Sequence, residues 1–517
     1  MKKFILFIFL GLHLTCIGAT NDLLIYQYQN ISGKNYKTNE MILANEFVFA
    51  DRIEQYYLDT ISNSIFLQLR GTSKNGKWLN DSGSFLAFDL KADSIRWDNQ
   101  INYTGTNILQ SNDVIVGTSD LGSIFINPVN GIIQTRTKNS VHFIAPQLKI
   151  GIGYAINNEG NPNKLVGIEL LNGKLRWNRE ISHEYGWNEE MMLNDSVLML
   201  VSDGLHFINL KNGDGWDFKA KTGRNDYTGT IVTNVLGIAI GILTGVLITS
   251  TGHDVITNLT SNAVCDSSGI YYASRENISR FDLDGNIKWT TKLEKNNVSN
   301  STLFIQDSIL YMTNKGIALM ENRPINFGKS FFSAYNKQTG KPIFYSLLNG
   351  NKTQINDSEM NKDTMVFALK NRIIKYSMLT GENLADKSFG IETIGEFYAF
   401  AGKNLYLKSD SSFQNLRSDS GFYYLKTLNN KLLELTNGLE ISRLIDMENV
   451  YTGYLSLGNL RFLANEDQTF VINNDNKIVA DIKASSKAKL IGNKLIDVHE
   501  NSVIETDLSG VLKFYQP

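Results

Sequence analysis

The sequence predicts an all-β fold, and three observations lead to this prediction. The 517 residues include 41 glycines but only six prolines, and the 22 tyrosines and 27 phenylalanines are typical of strands separated by glycine turns. Apolar residues make up 42% of the chain and charged residues 20%, which suits a large core and excludes a disordered protein. Strand–turn–strand units also recur along the chain. A mean hydropathy of -0.18 excludes a multi-pass membrane protein.

The charge balance limits the class of partner. Fifty basic and 52 acidic residues leave a formal charge of -2. This balance provides no general attraction for nucleic acid or for an anionic bilayer. We therefore expect no nucleic-acid partner. Any other partner must be bound by a particular patch of the surface rather than attracted by the overall charge.

The N-terminus has the three parts of a secretory signal. Lys2 and Lys3 precede an apolar run over residues 4–12, and small residues follow up to Ala19. A membrane anchor is the alternative, but the run is short for a bilayer, which needs about 20 apolar residues. We predict a signal peptide over 1–19, a lead-in over 20–40 and an exported protein of the periplasm or cell surface, with outer-membrane association as a further option.

Two cysteines occur in the chain. Cys16 lies where a bacterial lipoprotein carries its acylated cysteine, although the three residues before it depart from the usual pattern. Lipidation of Cys16 and cleavage after Ala19 are therefore both open. Cys265 heads an apolar strand, where we expect a small buried hydrophobic residue and no internal disulfide.

A repeated unit determines the architecture. Each copy is a strand with alternating apolar residues, an Asn-Gly, Thr-Gly or Asp-Gly turn, and a short strand closed by an aromatic residue, which describes a β-hairpin. Clear copies span 83–97, 163–177, 205–216 and 278–289, and degenerate copies span 122–131, 332–344, 373–382 and 503–514. The clear copies end at structural aromatic residues, namely Trp97, Trp177, Trp216 and Trp289.

A second hairpin precedes each of these, as at Asp195, Asp307 and Asp363. Two hairpins make a four-stranded antiparallel sheet of about 40 residues, the size of a propeller blade. Turn positions step by 38, 42 and 40 residues through Asp93, Gly131, Gly173 and Gly213. Sheets of this kind bury their faces by radial stacking. We therefore predict a β-propeller of about seven or eight blades over 41–517.

The repeat resembles the PQQ-type propeller repeat of quinoprotein dehydrogenases and of BamB-like accessory proteins of outer-membrane assembly. The resemblance rests on the pattern of apolar strand, Asp or Asn, Thr/Asn-Gly-Lys, apolar residue and Trp, and it covers residues 64–382 best. It implies a fold more specifically than a function.

One segment breaks the pattern. Trp216 and Asp266 are 50 residues apart, whereas the corresponding distance elsewhere is 16 to 18. Residues 228–252 carry no charge, and the insertion as a whole spans about 222–258. It is interpreted either as a helix or hairpin that packs on the propeller, or as a projection into a membrane or a partner. The residues expected to insert are Val235, Leu236, Gly237, Ile238, Gly241, Ile242, Leu243, Gly245, Val246 and Leu247.

Other motifs carry less information. The loop aromatics Trp78, Tyr185 and Trp187 could form a glycan or peptide platform or pack at a rim. The six histidines lack the spacing of metal ligands.

Asp followed by Ser or Thr and an apolar residue is similar to the O-glycosylation sequon of exported Bacteroidota proteins. The same residues also favour a turn before a strand. It occurs at Asp59, Asp93, Asp195, Asp307 and Asp363.

These observations predict a function by binding. A quinoprotein dehydrogenase would be expected to have a vicinal cysteine pair and a calcium site, and Cys16 and Cys265 cannot form the pair. We predict no catalytic, cofactor-binding or metal site. The leading hypothesis is a non-enzymatic scaffold of the cell envelope that binds a protein partner and contacts a membrane through the insertion. The alternative is a quinoprotein, or a propeller that binds a small ligand or glycan in its central channel.

Overall fold

The computed structural model confirms an all-β protein. It describes residues 23–73, 78–102, 107–111, 113–119, 122–155, 164–225, 255–294, 296–320, 323–348, 354–369, 371–390, 393–398, 404–416, 422–427 and 429–515.

The strands of the first half are β1 (Leu24–Asn35), β2 (Met41–Phe49), β3 (Arg52–Asp59), β4 (Ser64–Thr72), β5 (Leu79–Asp89), β6 (Ser94–Asn102), β7 (Asn107–Ser111), β8 (Val114–Ser119), β9 (Gly122–Ile126), β10 (Ile133–Thr137), β11 (Asn139–Ala145), β12 (Ile150–Ala155), β13 (Lys164–Glu169), β14 (Leu175–Glu180), β15 (Glu189–Asn194), β16 (Val197–Val201), β17 (Gly204–Asn209), β18 (Gly215–Lys219), β19 (Arg224–Asn225), β20 (Val255–Thr257), β21 (Val264–Asp266), β22 (Gly269–Ala273), β23 (Asn277–Phe281) and β24 (Ile287–Lys292).

The second half contains β25 (Ser301–Gln306), β26 (Ile309–Asn314), β27 (Ile317–Met320), β28 (Arg323–Asn326), β29 (Phe331–Asn336), β30 (Pro342–Leu347), β31 (Asp357–Asn361), β32 (Thr364–Leu369), β33 (Arg372–Ser377), β34 (Asn383–Ser388), β35 (Thr393–Tyr398), β36 (Asn404–Ser409), β37 (Ser412–Leu416), β38 (Tyr423–Thr427), β39 (Lys431–Leu435), β40 (Ile441–Asp446), β41 (Val450–Leu457), β42 (Leu460–Asn465), β43 (Gln468–Ile472), β44 (Ile478–Lys483), β45 (Lys489–Ile491), β46 (Lys494–Val498), β47 (Ser502–Asp507) and the short helix α1 (Ser509–Leu512).

Thirty-two of these strands form eight separate four-stranded antiparallel sheets. Eight more form two groups of four within one eleven-stranded sheet, which also contains β1, β36 and β37, and we number these ten units as blades in chain order. Blades 1 to 4 are β3–β6, β7–β10, β11–β14 and β15–β18, and blade 5 is β21–β24. Blade 6 is β25, β26, β29 and β30, blade 7 is β31–β34, and blade 8 is β35, β38, β39 and β40. Blade 9 is β41–β44, and blade 10 is β45, β46, β47 and β2.

The blades form a closed ring. The core consists of apolar clusters that neighbouring blades share, from blade 1 with blade 2 through to blade 7 with blade 8. The hairpin β36–β37 lies between blades 8 and 9, with Leu405 packed beside Tyr424 and Phe413 beside Tyr451. First strands of neighbouring blades contact each other, as β7 does with β11 and β21 with β25, so the first strands surround the central channel.

The ends of the chain close this ring. Blade 10 packs on blade 9 through Leu495 and Phe462, and on blade 1 through Phe47 and Leu86. Its fourth strand is β2, which pairs with β47 over Ala44–Val48 and Ser502–Thr506. The N-terminal and C-terminal segments therefore complete one blade together.

The predicted class, a β-propeller of four-stranded antiparallel blades, is confirmed. The described residues form ten units where about seven or eight were expected, because the repeat is degenerate after residue 382 and hides the later units. One predicted repeat copy is wrong. The segment 503–514 is not a hairpin, since β47 is followed by α1, whose Val511 and Leu512 are buried in the core. The N-terminal strand β2 occupies the place where we expected its second strand.

The closing tryptophans connect neighbouring blades. Each indole N–H donates to a backbone carbonyl at the turn between the third and fourth strands of the next blade, at 2.7 Å for Trp177 and Leu210. The ring also lies on the turn glycine, where a Cβ on Gly213 would be only 2.8 Å from Trp177. The other contacts are Trp97 on Gly131, Trp216 on Gly285, Trp289 on Gly340 and, with phenylalanine in place of tryptophan, Phe344 on Gly381.

A charge pair between buried Asp497 and half-buried His499 makes the stability of blade 10 dependent on pH. Burial alone would raise the pKa of Asp497, but hydrogen bonds from His499 and Ser485 outweigh burial and leave this pKa lowered. The hydrogen bond with Asp497 raises the pKa of His499 above its ordinary 6.5. The stabilisation from His499 is therefore complete below about pH 6.5 and is lost as the pH rises through the folded-state pKa. That from Asp497 is lost only in acid, as the pH falls through its own lowered pKa.

We expect His499→Gln to lower the free energy of unfolding more at about pH 5 than at about pH 9, because only the charged imidazole gains from Asp497. Urea denaturation at the two pH values measures this difference. An equal loss at both values would contradict the assignment.

Candidate interaction face

The two faces of the ring differ in their connections. In an antiparallel blade, the link between the second and third strands and the link to the next blade emerge on one face, and the two remaining hairpin turns emerge on the other. The insertion lies in the link from β18 of blade 4 to β21 of blade 5. We call the face that carries this link the insertion face and the opposite one the turn face.

A small sheet forms the base of the insertion. We call it the pedestal, and it consists of β19, β20, β27 and β28. Asn225 pairs with Val255, so the chain leaves and returns at adjacent positions. Just below, the Leu259 N–H donates to the Thr222 carbonyl at 2.8 Å.

The pedestal is fixed to blade 6. Its strand β20 pairs with β27, which belongs to the link between the second and third strands of that blade. Ile256 and Leu259 share a buried cluster with Ala318 and Ile325. The base is therefore held by a backbone ladder and by apolar packing.

The residues predicted to insert, from Val235 to Leu247, lie outside the described residues, as does Cys16. Within the described residues, helices long and apolar enough to span a membrane are absent.

Next to the pedestal, aromatic residues pack between blades 3 and 4. Tyr154 stacks on His183 with ring centroids 4.2 Å apart, and Trp187 meets Tyr154 edge-on at 5.7 Å. The Trp187 indole donates to Glu190 at 2.9 Å, and Trp187 also packs near His142. This cluster forms a firm rim at the mouth of the channel.

The loop that carries this cluster is tied to the pedestal. The Asp203 carboxylate accepts hydrogen bonds from the Glu184 N–H at 2.7 Å and the Tyr185 N–H at 2.9 Å. The Tyr185 ring covers Gly223, where a Cβ would lie 2.2 Å from it. Only glycine fits at that point, so the aromatic rim and the start of the pedestal are in direct contact.

Burial determines the charge of the rim. It lowers the pKa of His142 to about 4 and also lowers the pKa of His183, so both imidazoles are neutral at neutral pH. Burial, assisted by the neighbouring Glu190, raises the pKa of Glu189 to about 7. The two histidines of the rim are therefore neutral at neutral pH, and Glu189 is divided between its protonated and charged forms near pH 7.

The three loop aromatic residues proposed as a binding platform do not come together in the structure. Trp187 is only 8% exposed and Tyr185 packs at the rim, whereas Trp78 is 74% exposed and lies apart from them. The expected burial of Cys265 is wrong, because its side chain on the first strand of blade 5 is exposed. The closing tryptophans each donate a hydrogen bond to the next blade.

The five Asp-Ser/Thr motifs all lie at hairpin turns of the turn face, opposite the insertion. They begin at Asp59, Asp93, Asp195, Asp307 and Asp363.

A cavity of about 390 Å³ opens between the first strands of blades 1 to 3 and includes Glu54, Tyr57 and His142 in its lining. Across the described ranges, groups of three or more His, Cys, Asp or Glu side chains placed to hold a metal ion are absent.

Comparison with known proteins finds similarity only among solved structures, and that similarity is weak. No protein-family model matches the chain, and no curated protein matches it. Among solved structures, it is similar to BamB from Moraxella catarrhalis at 11% identity and a TM-score of 0.33, over 73% of this chain and 96% of that one. It is also similar to Hsv2 from Kluyveromyces lactis at 7% identity and a TM-score of 0.30, over 77% of this chain and 100% of that one. At such scores the likeness carries no argument, and the class of protein, a β-propeller, follows from the blades themselves.

Proposed function

We propose that this β-propeller is a non-enzymatic scaffold of the cell envelope that binds a protein partner on its insertion face. The observation that carries the proposal is the pedestal, whose paired ends at Asn225 and Val255 fix the base of an uncharged apolar segment to blade 6. A rigid base reduces the entropy lost when a segment binds, which suits a segment that enters a membrane or a partner's groove. The aromatic cluster beside it is mostly buried, and its contact with Gly223 helps to hold the start of the pedestal in place.

The location belongs to the same proposal. The signal pattern over 1–19 supports export to the periplasm or cell surface, and lipidation at Cys16 would add an outer-membrane anchor. Mass spectrometry of the mature N-terminus distinguishes acylated Cys16 from cleavage after Ala19.

Replacing residues 226–254 by a two-residue Asn-Gly turn tests the role of the insertion, because its paired ends can be joined as a hairpin. We expect a thermal midpoint close to that of the full chain, together with loss of envelope fractionation and of partner crosslinking. Unchanged fractionation and crosslinking would contradict the proposal.

A second variant covers the case in which the deletion does not fold. Ile238→Lys with Ile242→Lys keeps the length of the segment but interrupts its apolar run, and charged residues are costly in a bilayer or apolar groove. The matched control is Thr230→Lys with Thr249→Lys, near the ends of the segment. We expect the first pair to abolish envelope association and the control to retain it.

The alternative function is a quinoprotein or a small-ligand binder, which the cavity beside Glu54 and His142 favours. It predicts a spectral or thermal shift with PQQ and calcium, or with a glycan. The scaffold proposal predicts no shift with any of them.

A further inference from the structure

The outer edge of β1 is unusual in this ring. On one side, β1 pairs with β2 along Leu24–Lys34. On the other side, only Gly33–Asn35 pair, with Ala480–Ile482 of blade 9. Among the described residues, no strand pairs with this outer edge over 24–32. A row of backbone donors and acceptors is therefore open to solvent or to another chain.

Natural proteins protect such edges with charged residues or proline. The outermost strands of blades 1 to 9 follow this rule, since each contains at least one charged residue or a proline: β6, β10, β14, β18, β24, β30, β34, β40 and β44. The segment 24–32 contains neither. Its Ile25 and Ile31 are 53% and 51% exposed, and Tyr26 is also exposed. The β1 edge therefore has neither charge nor proline and exposes apolar side chains, and its register with β2 is regular from Tyr26 to Ile31.

We propose that this edge pairs with the β1 edge of a second copy of the chain, antiparallel and about a two-fold axis near Tyr28. Identical strands that meet in this way form a self-complementary interface, which is the commonest symmetry of homo-oligomers. A charged edge would repel its own copy, and the neutral segment 24–32 does not.

The proposed register gives the exposed isoleucines a partner. An axis at Tyr28 centres the pairing on the regular stretch from Tyr26 to Ile31 and places Ile25, just beyond its end, beside Ile31 of the partner subunit. The same contact recurs across the axis. The pairing of Gly33–Asn35 with blade 9 holds the C-terminal end of β1, so the edge is already extended before association. The interface joins the β1 strands, which lie beside β2 of each blade 10, and does not involve the insertion.

Sedimentation of the full mature chain at concentrations from about 1 to 100 µM tests the proposal. We expect a reversible dimer. Ile25→Lys with Ile31→Lys places like charges opposite each other on an exposed edge, and we expect a monomer with an unchanged thermal midpoint. The control is Ile287→Lys with Leu384→Lys, which changes equally exposed residues on the fourth strands of blades 5 and 7 and is expected to remain dimeric.

Three results would overturn the proposal: a wild-type chain that stays monomeric over the whole range, a lysine variant that still dimerises, or a control pair that becomes monomeric. A chain that stays monomeric and instead binds an extended peptide from another protein at 24–32 would also overturn the proposal.

Discussion

Trp177→Ala is expected to lower the free energy of unfolding by about 3–5 kcal/mol, the range for removal of a large buried aromatic side chain. Trp177 is only 6% exposed, and its indole donates to Leu210 of the next blade at 2.7 Å. Its loss opens a cavity between blades 3 and 4 and leaves the Leu210 carbonyl without this donor. Denaturation in urea, followed by circular dichroism, measures the change.

Trp78→Ala is the matched control, because Trp78 is 74% exposed and its replacement should change the free energy of unfolding by less than about 0.5 kcal/mol. Equal effects of the two substitutions would show that the closing tryptophan does not stabilise the contact between blades.

The glycine beneath the indole offers an independent test of the same contact. Gly213 has a φ of +80°, and a Cβ there would lie 2.8 Å from Trp177. Gly186 has a φ of +84° and no atom within 4 Å of such a Cβ. Alanine strains the backbone equally at both positions, so the excess loss of stability in Gly213→Ala reports the clash with Trp177.

Removal of the N-terminal strands is expected to abolish the folded monomer. A chain that begins at residue 50 lacks β2, so blade 10 has three strands and the contact of Phe47 and Phe49 with Phe88 is lost. Each of these phenylalanines is fully buried, and substitution of one by alanine costs about 3–5 kcal/mol. Loss of both with their strand is comparable to the entire stability of a typical domain.

Size-exclusion chromatography and a thermal melt of the truncated chain measure this effect. A chain that begins at residue 23 retains β1 and β2 and is the control, expected to melt as a single folded species. A truncated chain with the midpoint of the control would contradict closure of the ring by β2.

The hairpin units could be predicted because the chemistry of their turns is local. Gly131, Gly173 and Gly213 each adopt positive φ at the predicted turn, and each closing tryptophan is a long-range signal with a fixed position. Only blades 1, 3, 4 and 5 have that tryptophan; Phe344 takes its place in blade 6, and in blade 8 Arg443 pairs with Glu434. The number of blades and the joining of β2 to β47 depend on pairing between distant segments, which hydrophobic alternation does not encode.

The interaction face was less predictable than the fold. The excess length between Trp216 and Asp266 located the insertion, but nothing local indicated that Asn225 and Val255 pair or that blade 6 supplies the rest of the pedestal. Cys265 was misassigned because apolar neighbours in a short first strand do not determine which face turns toward the channel.

An experimental structure viewed along the channel axis tests the central claim most directly. The account predicts ten four-stranded blades in one closed ring, with residues 41–49 as the outer strand of the blade that residues 489–507 complete. A ring of seven or eight blades, or a strand 41–49 that lies outside the final blade, would contradict it.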